Sequence, residues 1–83
     1  MMKAFISRNL PMNKKSICQT IDSACGNEPR DFTFQEKQYI LDYQSSNDRS
    51  DRAFLDGLLF WFESTTSDGC WTQANVEFMQ SFY

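Results

Sequence analysis

Eighty-three residues, 41% of them apolar and 16% aromatic, suffice for one domain with a buried core and argue against a disordered chain. Eight cations against eleven acids give a net charge of −3 and a pI of about 4.7, which disfavours direct binding of nucleic acid through its phosphates. There is no histidine. That removes the commonest general base, the Ser–His and Cys–His nucleophile arrangements and most zinc sites, so neither an enzyme nor a metal or cofactor site is expected.

The charge is unevenly placed. Residues 1–30 carry five cations and two acids, and residues 31–83 carry three cations and nine acids. The two parts can attract each other on folding, or the acidic part can face a basic partner. Three cysteines, Cys18, Cys25 and Cys70, are an odd number and speak against a disulfide framework. Cys18 and Cys25 lie two helical turns apart, about 10.5 Å, too far to bridge. No secretory signal pattern and no apolar run of membrane-spanning length is present, so a cytoplasmic protein without membrane contact is expected.

In chain order, residues 1–10 read as an extended arm that lays Phe5 and Ile6 on the core. The first helix is predicted over about 11–25, with Pro11 tolerated in its first turn. Ile17, Cys18, Ile21, Ala24 and Cys25 fall within an arc of about 120°, opposite Lys15, Gln19, Asp22 and Ser23. Gly26-Asn27 supplies a left-handed stop and Pro29 prevents continuation. The second helix, about 34–44, opens on the capping box Thr33-Phe34-Gln35-Glu36. Its apolar residues, Phe34, Tyr39, Ile40, Leu41 and Tyr43, are spread around the axis, which predicts more than one neighbour.

The third helix, about 48–63, contains the densest apolar run of the chain, Phe54-Leu55-Asp56-Gly57-Leu58-Leu59-Phe60-Trp61-Phe62. Phe54, Leu55, Leu58, Leu59, Trp61 and Phe62 cover about 160° of its wheel and predict the central core face. Arg52, Asp56 and Glu63 form a polar strip, with Arg52 and Asp56 at i,i+4 spacing. Between them lies a flank of Ala53, Gly57, Phe60 and Ser64. A mid-helix Gly costs about 1 kcal/mol relative to Ala. Gly57 beside Phe60 therefore suits a shallow groove with an exposed anchor, as at interface hot spots. Residues 64–69 read as a loop. A last helix is predicted over about 71–82, with Asn75 inside its apolar arc. There Asn75 must be hydrogen-bonded, unless Thr72 is the true cap and Asn75 belongs to the first turn.

Three glycines at 26, 57 and 69 make no phosphate-binding loop. Asn47, Asp48 and Asp51 lack the spacing, Gly and closing Glu of a calcium loop and read as helix capping. Asp42, Asp48, Asp51, Asp56, Glu63 and Asp68 are the acids available to imitate a nucleic-acid charge pattern.

A short, acidic, aromatic-rich chain without catalytic groups is similar in size and composition to small phage or mobile-element proteins, such as anti-CRISPR and anti-restriction proteins. That resemblance implies inhibition of a host enzyme or defence complex by covering its basic, nucleic-acid-binding surface. The expectation is thus an all-α bundle of three or four short helices that binds a protein partner with a basic surface. The candidate contact residues are Ala53, Gly57, Phe60, Asp48, Asp51, Asp56 and Glu63. Two alternatives are a homo-oligomeric structural or adaptor module, a homodimer with Trp61, Phe60, Trp71 and Phe78 at its seam, and a nucleic-acid-binding accessory protein that uses the basic first thirty residues.

Overall fold

The computed structural model describes residues 10–24 and 28–83. Most of the expected arm, Cys25 and the Gly26-Asn27 stop lie outside the described residues. The fold is all-α: α1 (Met12–Ala24), α2 (Phe34–Gln44), α3 (Arg49–Thr65), one 3-10 turn (Thr66–Asp68) and α4 (Gln73–Gln80). The core gathers Ile17 and Ile21 of α1, Ile40 and Tyr43 of α2, Leu55, Leu58 and Phe62 of α3, and Met79 of α4. Phe32 and Trp71, from the connecting segments, complete it.

The α1 apolar face is buried at Ile17, Cys18 and Ile21, but Lys14 and Thr20 are buried with it. Lys14 lies within the apolar arc and Thr20 just outside it. Each has a polar partner on another helix. The Thr20 hydroxyl donates to Glu36 Oε1 at 2.9 Å, and the Ser16 hydroxyl donates to Glu36 Oε2.

Glu36 is 2% exposed. It closes the predicted capping box: Glu36 N–H donates to Thr33 Oγ1 at 3.0 Å, and Thr33 N–H donates to Glu36 Oε1 at 3.0 Å. The same carboxylate therefore starts α2 and docks it on α1. Arg30 Nη2 stands 4.0 Å from Oε2. A buried carboxylate is tolerated only when its oxygens are satisfied, and three hydrogen-bond donors, with the Arg30 charge nearby, do that.

The spread apolar set of α2 does not all meet protein. Ile40 and Tyr43 enter the core and Tyr39 packs against it, while Phe34 and Leu41 face solvent.

Asp48 caps α3, its Oδ1 accepting from Ser50 N–H at 2.7 Å and Asp51 N–H at 3.2 Å. Lys14, 4% exposed, places its ammonium 2.9 Å from Asp51 Oδ1. It also donates to Ser50 Oγ at 3.1 Å and lies 5.4 Å and 5.5 Å from the Tyr43 and Phe54 ring centroids. Cation, carboxylate and rings thus pin α1 to the start of α3. The hydrogen bond from Lys14 holds the Asp51 carboxyl below the usual range, against the opposing effect of burial. Burial, then the charge of Asp51, pushes the Tyr43 phenol up to about 12.

α3 runs two residues past its predicted end. The Ser64 and Thr65 hydroxyls donate to the Trp61 carbonyl at 3.1 Å and 2.7 Å, and Thr66 donates to the Phe62 carbonyl. Residues that read as loop formers satisfy the last carbonyls of the helix instead. Gly69, at φ +73°, then turns the chain.

α4 starts two residues later than predicted and ends at Gln80. Thr72 is its cap, accepting from Asn75 N–H at 3.2 Å. Trp71 is thereby left outside the helix and enters the core edge-on to Phe62, with centroids 5.1 Å apart. Its indole N–H donates to Thr65 Oγ1 at 2.7 Å. Asn75 is fully buried and hydrogen-bonded at both ends: its Nδ2 donates to the Arg30 carbonyl at 3.0 Å, and its Oδ1 accepts from Phe32 N–H at 2.8 Å.

Glu36→Ala should destabilise the protein by about 3 kcal/mol, because it strands the Thr20 and Ser16 hydroxyls and removes the side-chain half of the α2 capping box. Glu36→Gln, which keeps an acceptor for Thr33 and Thr20, should cost less. Urea unfolding measures both; an Ala variant within about 1 kcal/mol of the native protein would contradict the central role of this carboxylate.

Asp51→Asn should cost about 1.5–3 kcal/mol, the range for hydrogen bonds to charged groups. Because the folded pKa of Asp51 is lowered, its contribution is present above the unfolded Asp pKa of about 3.9 and is lost as pH falls through the folded value. The native protein should lose stability on acidification below about pH 4, and Asp51→Asn should lose less over that window. Parallel stability–pH curves for the two would refute the assignment.

Candidate functional site

The α3 core face fixes which residues must look outward. With Leu55, Leu58 and Phe62 buried, Arg52, Ala53, Asp56, Phe60, Glu63 and Ser64 are exposed, and Gly57 is half-buried at the margin. The polar strip and the small-residue flank expected from the sequence are thus one solvent face. Phe60 is 71% exposed. At 100° per residue, Asp56, Phe60 and Glu63 share an arc of about 60°, the acids one turn before and one turn after the ring.

Arg52 and Asp56, although at i,i+4 spacing, do not form an ion pair. Arg52 Nη1 reaches back to the Ser46 carbonyl at 3.3 Å. A carbonyl in the α2–α3 connection thus takes the guanidinium from the carboxylate one turn ahead. Among the described residues neither Asp56 nor Glu63 makes an ion pair.

Tyr83 joins this face from beyond α4. Its ring stacks on Phe62 at 6.4 Å and its hydroxyl donates to the Leu59 carbonyl at 3.2 Å, yet it stays 68% exposed. Burial, then the nearby Glu63 charge, raises its pKa. Glu63 is therefore a neighbour of both Phe60 and Tyr83. No periodicity points to Tyr83, because it follows the last helix.

The structure divides the candidate contact residues. Ala53, Asp56, Phe60 and Glu63 lie together, with Gly57 beside them. Asp48 and Asp51 sit at the start of α3, about two turns and one and a half turns before Asp56, engaged in capping and in the Lys14 pair. Asp51 is 28% exposed, and its charge reversal would break the Lys14 contact before it tested any surface. Of the four aromatic residues proposed for a homodimer seam, Trp71 is buried, Trp61 and Phe78 are half-buried against the core, and Phe60 alone is exposed.

Cys18 is buried, and burial followed by the Asp22 charge pushes its thiol up to about 11. It is a core side chain rather than a nucleophile. No group of three or more Cys, Asp or Glu residues among the described residues is placed to hold a metal ion. No helix among them is long and apolar enough to cross a membrane.

The arrangement is an outward aromatic ring on the solvent face of α3, with a carboxylate one turn to either side that makes no ion pair among the described residues. Comparison with protein-family models, with curated proteins and with solved structures finds no match to the chain.

Proposed function

We propose that this chain is a small acidic protein-binding module. Its α3 face, Ala53, Asp56, Phe60 and Glu63, covers a basic surface of a partner protein. The partner surface is one that otherwise holds nucleic-acid phosphates, so binding is inhibitory, in the manner of phage or mobile-element proteins directed at host enzymes. The observation that carries the reading is Phe60: a large ring 71% exposed, between two carboxylates with no ion partner among the described residues.

Burying such a ring contributes roughly 1.5–3 kcal/mol. Since α3 is already fixed by its core face, little backbone ordering opposes docking. The flanking charges add complementarity to a basic surface and speed encounter. They also repel phosphate, which favours a protein partner over nucleic acid.

A photo-crosslinking phenylalanine analogue at position 60, compared with the same analogue at exposed Phe34 on α2, tests this in the native host. A specific adduct from position 60 alone, with a protein of basic surface, is the expected result. With that partner purified, Phe60→Ala should weaken binding at least tenfold and Asp56→Lys/Glu63→Lys should abolish it, both with unchanged thermal stability. Identical adducts from the two positions, adducts only with a second copy of the chain, or full affinity in both variants would reject the reading.

A further inference from the structure

We infer that the α3 face receives an arginine side chain of the partner, its guanidinium laid on the Phe60 ring and its N–H groups shared between Asp56 and Glu63. This deepens, and rests on, the protein-docking reading of the same face.

The first step concerns what Phe60 can enter. An exposed ring ordinarily fits an apolar pocket. Here that is costly, because Asp56 and Glu63 lie one turn to either side, about 5–6 Å away between Cβ atoms. An apolar pocket deep enough for the ring would cover both carboxylates unpaired, and burial of an uncompensated charge is strongly unfavourable. The occupant must be apolar toward the ring and cationic toward its flanks.

The second step concerns the cations of the chain itself. Lys14 is bound to Asp51, Arg30 lies beside Glu36, Arg52 reaches Ser46 and Lys37 lies over Phe78. Arg49 is on the same face but two turns before Asp56, and helical side chains of this kind lean toward the N-terminus, away from Asp56. Among the described residues no cation makes an ion pair with Asp56 or Glu63, and the two carboxylates and the ring face outward.

The third step selects arginine over lysine. A guanidinium is planar, weakly hydrated and stacks on an aromatic face while its edge still carries several donors. An ammonium is a compact, strongly hydrated point charge and satisfies the ring and two carboxylates on opposite sides less well.

The test uses the full chain, isotope-labelled, titrated with N-acetylated and amidated hexa-arginine and with hexa-lysine of equal charge. Backbone amide shifts locate the site and give both affinities. Hexa-arginine should bind at least fivefold more tightly than hexa-lysine, with the largest shifts from Ala53 to Ser64. Phe60→Leu, which keeps an apolar side chain but removes the ring, should bring the ratio close to one. Asp56→Asn/Glu63→Gln should weaken both peptides at least tenfold. All three substitutions are at exposed positions, and unchanged amide dispersion confirms their fold.

Equal affinity for the two peptides, a preference that survives Phe60→Leu, or shifts centred on another helix would overturn the arginine assignment. If equal affinity accompanies a Phe60→Ala variant that still loses its crosslinked partner, the arginine inference falls and the docking reading stands. If Phe60→Ala keeps its partner as well, both fall.

Discussion

The buried carboxylate of Glu36 is the constraint on which the helix arrangement depends. It closes α2 at its N-terminus, accepts from two α1 hydroxyls and stands beside Arg30. Oε1 accepts from the Thr33 N–H and the Thr20 hydroxyl, while Oε2 accepts from Ser16 and faces Arg30, so one carboxylate performs all three tasks. With α2 so oriented, Ile40 and Tyr43 meet Leu55 and Leu58 of α3 in one core. The segment just before α2 is secured from the other side by α4: Asn75 holds the Arg30 carbonyl and the Phe32 amide, and the Thr72 hydroxyl donates to Asp31 Oδ1 at 2.6 Å. Three successive residues, 30 to 32, are therefore held by side chains at the start of α4, and Thr33 by the capping box of α2. Those side chains do the work that a strand partner does in a sheet.

That scheme explains why polar residues occupy the interior of so short a chain. A small core gives a modest apolar contribution, and roughly 60% of the unfolded surface is all a chain near this length can bury. Hydrogen-bonded groups such as Glu36, Thr20, Asn75 and Lys14 add directionality that apolar packing lacks. The arrangement is satisfied almost throughout. Tyr43 Oη and Trp61 Nε1 are the buried side-chain polar atoms left without a hydrogen bond among the described residues. The Tyr43 ring still contributes, as one of the two faces over which the Lys14 ammonium sits.

Much of this was legible in the chain. The capping box at Thr33, the core arc of α3, the cap at Asp48 and the need for Asn75 to be hydrogen-bonded all follow from local rules, and local rules act over three or four residues. The polar interior was not legible, because its partners are far apart in sequence: Lys14 meets Asp51, Thr20 meets Glu36, and Asn75 meets Arg30. A helical wheel places Lys14 within the α1 apolar arc and Thr20 just outside it, but it has no means of registering a polar partner on another helix. The α3 end was misplaced for a related reason: Ser64, Thr65 and Thr66 favour turns by composition, but here their hydroxyls return to helical carbonyls. On the candidate surface, the residue types and their spacing could be read from the chain. Two facts could not. Arg52 turns toward Ser46, and Tyr83 folds back on α3.

The two kinds of site are linked through charge. Folding draws Lys14 and Arg30, cations of the basic portion of the chain, against Asp51 and Glu36 of the acidic portion. Each contact has one buried member, Lys14 or Glu36, whose charge would be left less compensated if its partner were removed. Arg52, which spacing alone would have set against Asp56, closes the α2–α3 connection instead. Each of these cations serves the scaffold, and the acids of the outer α3 face are left to interact with water. The core face of α3 needs Leu55, Leu58 and Phe62, and those residues determine that Asp56, Phe60 and Glu63 share the opposite side. The same packing that stabilises the helix therefore presents its aromatic and acidic residues as a fixed group. A change at Phe60 acts on what the protein meets, whereas a change at Glu36 acts on whether the helices assemble at all.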